Sequence, residues 1–173
     1  MSAAGQLRLR FPSFEDSAKL GLLVAAALVD APSAPIDRDE LNADLEQVGR
    51  EFVSAHLFGN ETLLLAEVGR HAAGIARLVP REFQRSAHVG TLQVLVTPTL
   101  RHRGVGRQLL AAALEEGFAR RGFLRIETPV ADHDLGMARL VGAPRWHLER
   151  VERAALRVFD ELHDIRVWVA DPT

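Results

Sequence analysis

A chain of 173 residues with 47% hydrophobic content fits one compact domain with a sizeable core and leaves no room for a second. The formal net charge of -2 and a pI near 6.4 give no overall pull toward nucleic acid or an anionic membrane surface, although arginines cluster locally. With no cysteine in the chain, disulfides, thiolate metal sites and a thiol nucleophile are all excluded.

Leu7 to Phe11 alternates apolar and polar residues, which predicts a first strand rather than the apolar core of a signal peptide. Ser13, with Asp16 three residues on, has the form of a helix-start cap and opens a helix to about Val29. The run Leu20 to Val29 is the longest apolar stretch and is too short to span a bilayer, so a cytoplasmic protein is expected. Asp30 to Asp37, with Pro32 and Pro35, is a break. Beyond it Leu41, Leu45, Val48 and Phe52 keep helical spacing. Strands are expected at Glu61 to Val68 and His71 to Val79, joined tightly at Gly69-Arg70, and a further strand at His88 to Val96.

That last strand runs through Pro98 into a glycine-bearing turn and then an amphipathic helix from Gly104 to about Arg121, with Val105, Leu109, Ala113, Leu114 and Gly117 inward and Arg107, Gln108, Glu115 and Arg120 outward. Without a Cβ at Gly104 and Gly106, backbone can approach a ligand closely. The unpaired N–H groups of the helix start, aided by its dipole, then suit phosphate. Arg101, His102, Arg103 and Arg107 add positive charge. The dinucleotide fingerprint fails, because a third glycine would have to stand at Leu109, and the Gly-Lys-Ser/Thr of a P-loop is absent. Gly122 stops the helix, and Leu124 to Val130 returns as a strand parallel to its predecessor. A short helix follows from about Asp134 to Val141. In the tail, Val151, Ala155, Val158, Leu162 and Ile165 fit a helix, whereas Ala154, Leu156 and Val158 fit a strand.

The turn Arg101-x-x-Gly104-x-Gly106, preceded by Val94-x-Val96-x-Pro98 and followed by Leu109-Leu110, resembles the coenzyme A turn of the GNAT acetyltransferase superfamily. The order of elements from Leu7 to Val169 agrees with that family's, and the tail leans toward its ribosomal-protein N-terminal and small-amine branch. The resemblance implies an α/β (α+β) fold with a mixed, centrally splayed sheet flanked by helices, as one GNAT-like domain over 1–173. It also implies that the tail is a hairpin, Arg153 to Val158 and Asp164 to Trp168. Acetyl-CoA would be the cofactor, its pantetheine arm lying between two splayed strands against the backbone of Val94, Leu95 and Val96, and its pyrophosphate on the amides of His102, Arg103, Gly104, Val105, Gly106 and Arg107, with Arg101 and Asp134 completing the cofactor-binding set. Pro129, which cannot donate a ladder hydrogen bond, suits a splayed strand.

Attack by an amine requires its neutral form, whereas a lysine-like amine with a pKa of about 10.4 is mostly charged at neutral pH. The candidate general bases are Glu127, on the splaying strand, and His133, at its end, with Asp132 able to act through water. His88 is read as structural. Asp132-His133-Asp134 has no second cluster at matching spacing, so no metal site is expected. Two family features are missing. The chain has no tyrosine to protonate the departing thiolate, the matching position being Val141, and Asp134 replaces the usual asparagine. A thiol of pKa about 8.5 can leave without a strong acid.

The expectation is an acetyl-CoA-dependent N-acetyltransferase acting directly on a primary amine of a small molecule or protein N-terminus. The alternatives are a non-catalytic acyl-CoA-binding module and a protein whose turn holds ATP. The acceptor groove would lie over the two N-terminal helices and the tail, where Asp30, Asp37, Asp39 and Glu40 could attract a cation. No nucleic-acid or membrane partner is expected, and a homodimer is compatible with the sequence.

Overall fold

A computed structural model describes residues 6–31, 33–34 and 38–172. Its strands are β1 (Leu7–Arg10), β2 (Thr62–Val68), β3 (His71–Pro80), β4 (Val89–Val96), β5 (Arg125–Ala131), β6 (Trp146–Val158) and β7 (Glu161–Ala170), and its helices are α1 (Ser17–Leu28), α2 (Leu45–Leu57), α3 (Val105–Glu115) and α4 (Leu135–Val141). The strands form one sheet in the order β1-β2-β3-β4-β5-β7-β6. Only β4 and β5 pair in parallel; the other neighbours are antiparallel.

The alternation of side chains along each strand divides the interior in two. Leu63, Leu65 and Ile75 meet Leu20, Leu23, Val24, Val48 and Val53 of α1 and α2 on one face. Leu64, Leu78, Leu92, Ile126 and Val130 meet Val105, Leu109, Ala113 and Val141 of α3 and α4 on the other. Because β2 is covered on both faces, it reads as a continuous apolar run. Among the described residues no helix is long and apolar enough to cross a membrane.

Several boundaries differ from the sequence reading. The second helix starts at Leu45 rather than near Leu41, because Asp44 caps it by accepting the Gln47 N–H at 3.1 Å. The third helix keeps α geometry only to Glu115 and finishes in a π turn over Glu116–Arg120. The tail is a hairpin, but its first strand begins at Trp146, well before Arg153. Its register shifts between Leu148 and Arg150 and again between Glu152 and Leu156, with Ala154 at φ 50, and these irregularities break the two-residue period.

The central feature is where β4 and β5 part. They pair only over Val89–Thr91 and Arg125–Glu127, after which β5 continues against β7 alone. In antiparallel pairs, backbone groups alternate between the two neighbours. Thr97 donates its N–H to Ala73 O at 2.9 Å and Arg81 donates to Val89 O at 3.0 Å, so odd-numbered β4 residues face β3. The backbone groups of Val94 and Val96 therefore face the gap. On the other side, Asp132 donates to Asp164 O at 2.9 Å, so even-numbered β5 residues serve β7 and the backbone of Pro129 and Ala131 faces the gap. Pro129 thus sits where its missing N–H removes no ladder bond.

The opposite edge is anchored by charge. Arg10 on β1 forks between Asp16, at 2.7 and 2.8 Å, and Glu67 on β2, at 2.9 and 3.0 Å, while Lys19 reaches Glu67 at 2.8 Å. The hydrogen bonds from Arg10 hold the Asp16 carboxyl well below the usual range, and those from Arg10 and then Lys19 hold Glu67 down to about 2. Arg10→Ala leaves two largely buried carboxylates with Lys19 as their remaining cation, Asp16 keeping only the Ser13 N–H at 2.9 Å and hydroxyl at 3.4 Å besides, and is expected to lower stability by about 3 kcal/mol in urea unfolding at pH 7. Since both folded-state pKa values are depressed, this stabilisation is complete above the unfolded carboxylate range near 4 and fades as pH falls toward 2. The difference between wild type and Arg10→Ala should therefore shrink in acid.

Candidate functional site

The turn between β4 and α3 has the backbone its sequence suggests. Pro98–Leu100 forms one 3-10 turn, His102 takes φ 60, and Gly104 caps α3 at φ 84 in the left-handed region that favours glycine. The first of the helix's own bonds in this turn runs from Gln108 N–H to Gly104 O, at 3.1 Å, leaving the N–H groups of Val105, Gly106 and Arg107 at an N-terminus suited to an anion. His102, Arg103 and Arg107 are exposed around it. A Cβ at Gly104 would meet nothing within 4 Å, whereas one at Gly106 would stand 3.1 Å from Leu140 on α4 and 3.7 Å from Val96 on β4. Gly106 thus keeps open the gap between the start of α3, α4 and the splayed strand.

Arg101 behaves differently from the sequence expectation. Its guanidinium donates to Val96 O at 3.1 Å and Ala27 O at 3.4 Å and pairs with Asp30 at 2.7 Å. It ties the turn to the end of α1 instead of pointing at the anion-binding amides. Leu95 also needs correction as a cofactor contact, because its backbone is turned to β3, opposite Ile75. Val94 and Val96 are the β4 residues whose N–H groups face the gap, with Val96 O taken by Arg101.

Glu127 stands at the last position where β5 pairs with β4, and its side chain is 7% exposed. Arg125 Nε donates to it at 2.9 Å and Arg81 Nη2 to both its oxygens at 3.1 Å, with Arg150 Nη1 at 3.7 Å. Burial pushes this carboxyl up, but the hydrogen bonds from Arg125 and Arg81 outweigh it and hold it below the usual range. Arg125 is also paired with Glu149.

At the open end of the gap, Asp132 Oδ1 lies 3.2 Å from Nδ1 of both His133 and His163, whose rings stand 4.0 Å apart. Hydrogen bonding from His133 is the main influence holding the Asp132 carboxyl below its ordinary value. Sequence spacing did not reveal His163, because it arrives on β7. Only the register that sets Asp132 beside Asp164 brings it in. Asp134 caps α4, accepting the Met137 N–H at 2.9 Å and the Ser33 hydroxyl at 2.6 Å, while Ser33 Oγ accepts the Ala131 N–H at 3.0 Å. Ser33, also missed from sequence, pins the connection between α1 and α2 across the end of β5. Val141 is fully buried. Among the proposed acceptor-groove acids, Asp30 is committed to Arg101, Asp39 and Glu40 are exposed, and Asp37 lies outside the described residues.

The family described as Acetyltransferase (GNAT) matches residues 28–142. Among solved structures, a ribosomal-protein-alanine N-acetyltransferase from Brucella melitensis is similar with a TM-score of 0.85 and 20% identity, over 95% of this chain and 99% of that one. An N-acetyltransferase from Staphylococcus aureus Mu50 gives 0.84 and 15%, over 96% and 98%. A GNAT superfamily phosphinothricin acetyltransferase from Sinorhizobium meliloti, solved in complex with acetyl-CoA, gives 0.82 and 15%, over 95% and 88%. No curated protein matches the sequence. At these identities the structural likenesses speak for the fold.

Proposed function

The chain belongs to the GNAT acetyltransferase family, and from that premise we propose that it moves an acetyl group from acetyl-CoA directly to a primary amine, on a small molecule or at a protein N-terminus. The observation that carries this reading is the union of two features: a glycine-bearing helix start with free N–H groups, and a gap between parallel strands edged by the backbone of Val94 and Val96. The residues fit the cofactor. An extended diamide arm needs an unpaired strand edge, which β4 offers, and a pyrophosphate needs clustered backbone donors, which the turn from His102 to Arg107 offers. The whole chain serves as one acetyltransferase domain.

When bound, acetyl-CoA supplies an acyl group activated as a thioester. Val94 N–H, which faces the gap, would serve as a donor to its carbonyl oxygen, and a preorganised donor of this kind contributes roughly 3 to 4 kcal/mol in other enzymes. Arg101 holds the turn in place from the side of α1, and Asp134 holds the start of α4. His133 takes the proton of the attacking amine: Asp132 engages its Nδ1, which leaves Nε2 as the accepting nitrogen. Glu127 is a weaker base because guanidinium groups stabilise its charged form, so it organises Arg81 and Arg125 instead. With no tyrosine in the chain and Val141 buried, the thiolate leaves without a dedicated acid.

Release of free thiol from acetyl-CoA over a panel of amines tests the reading. Turnover with at least one amine is expected; a folded protein that binds CoA and releases thiol with none would overturn it. A second expectation concerns the acceptor. Asp39→Asn should raise KM for a cationic amine by up to about fivefold, the scale of an exposed charge pair, with the Kd for CoA unchanged. An unchanged KM would remove Asp39 from the groove.

A further inference from the structure

We infer that Asp132, His133 and His163 form a binding site for a divalent transition-metal ion of the zinc class. Their ligating atoms all lie within 4.8 Å of one another, drawn from the turn that follows β5 and from the neighbouring strand β7. Zinc sits about 2.0–2.2 Å from imidazole nitrogen and carboxylate oxygen, so two such ligands around a tetrahedral or octahedral ion stand roughly 2.9–3.4 Å apart. Asp132 Oδ1 is 3.2 Å from each Nδ1, which is the spacing two edges of such a polyhedron require. With Nδ1 of both rings deprotonated, side-chain rotations that bring the ligating nitrogens of the two rings, no more than 4.8 Å apart, to that same spacing let all three atoms meet one ion.

The surroundings orient these groups as ligands. Asp132 Oδ2 is 3.4 Å from the Asp164 N–H, which leaves Oδ1 for the ion, and Arg166 Nη1 donates to Asp132 O at 3.3 Å, fixing the backbone beneath it. His163 Nε2 lies 3.8 Å from Oε2 of the exposed Glu161, an ion-pair distance longer than the hydrogen bond by which a carboxylate steadies the outer nitrogen of a metal-bound imidazole. Two imidazoles and one carboxylate select zinc, cobalt, nickel or copper over magnesium or calcium. The His133 side chain is 34% exposed, so solvent can reach the site and water can complete the coordination. An ion here would brace the end of β5 against β7. On the proposed role of His133, it would also silence proton transfer, since a neutral ring with its Nδ1 on a metal carries its proton on Nε2 and cannot accept another.

The test uses the full chain without an affinity tag, stripped with chelator and titrated with Co2+ while the visible d–d absorption is followed, with Zn2+ calorimetry in parallel. One saturable Co2+ per chain is expected in the wild type. His163→Ala should weaken it by more than about 100-fold, at least the upper end of what losing a supporting partner costs. His163 is not placed in the acetyl-transfer chemistry, so Zn2+ should inhibit wild type and spare His163→Ala, whose basal turnover should persist. If His163→Ala misfolds, the nitrogen shifts of the two ring Nδ1 atoms in wild type on adding Zn2+ report the same ligation. No d–d band in wild type, equal affinity in a folded His163→Ala, or unmoved Nδ1 resonances would overturn the site. None of these outcomes bears on whether acetyl-CoA is turned over in the absence of metal.

Discussion

Gly106→Val is expected to give a folded protein with CoA affinity reduced by about 100-fold or more, close to 2.7 kcal/mol. The substitution keeps ordinary helical backbone, so no strain arises from φ, unlike Gly104→Val, which would force a β-branched residue into the left-handed region at φ 84. Its side chain instead fills the gap where a Cβ already approaches Leu140 Cδ1 to 3.1 Å and faces Val96. Leu140 is flexible and partly exposed, so the fold can yield there, whereas the passage between α3, α4 and β4 narrows. Calorimetry with CoA, alongside circular dichroism, separates the two effects. Unchanged affinity in folded Gly106→Val would remove the turn from cofactor binding.

The second large effect concerns the proton. With His133 as base and no tyrosine-like acid, kcat/KM for a fixed amine should rise with pH to a plateau and show no falling alkaline limb. His133→Ala should lower that plateau by about 10²-fold, the lower end of what positioned proton transfer contributes. Glu127→Gln should behave differently. It strips the anion from Arg81, Arg125 and Arg150, so its main effects should be on KM and thermal stability, with the shape of the pH profile retained. If both variants keep wild-type rates at every pH, neither residue is the base, and the enzyme works by positioning the neutral amine alone.

What the sequence disclosed and what it withheld divide along a physical line. The passage from β4 through Gly104 to α3 is local: strand alternation, glycine and helical period lie within twenty residues, and the turn could be read directly. The splay was implied by the family resemblance, and Pro129, whose lack of an N–H suits a strand end as well as a splayed strand, only agreed with it. The fate of charged side chains was not legible. Arg101 stands in the motif like an anion ligand, yet its guanidinium turns to Asp30 and Ala27, residues at the end of another helix. Glu127 reads as a candidate base until the residue after β3 and a residue of β6, Arg81 and Arg150, are brought to it across the sheet. His163 joins Asp132 only through strand register. In the tail, bulges shift inward and outward positions between Leu148 and Leu156, so alternation could not outweigh the helical count until the partner strand was known.

Parting two strands in the middle of a sheet creates two raw edges, and exposed edges invite stray peptides, including other copies of the same protein, to add on as extra strands. The β5 side of this opening is blunted. Pro129 has no N–H to offer, and the N–H of Ala131 is already given to Ser33, so an incoming strand would find acceptors there but no free donors at these two positions. The β4 side keeps its donors at Val94 and Val96. The cleft therefore presents one edge that can be read by hydrogen bonds and one that cannot be zipped, which resists aggregation and strand exchange without closing the way to a slender ligand.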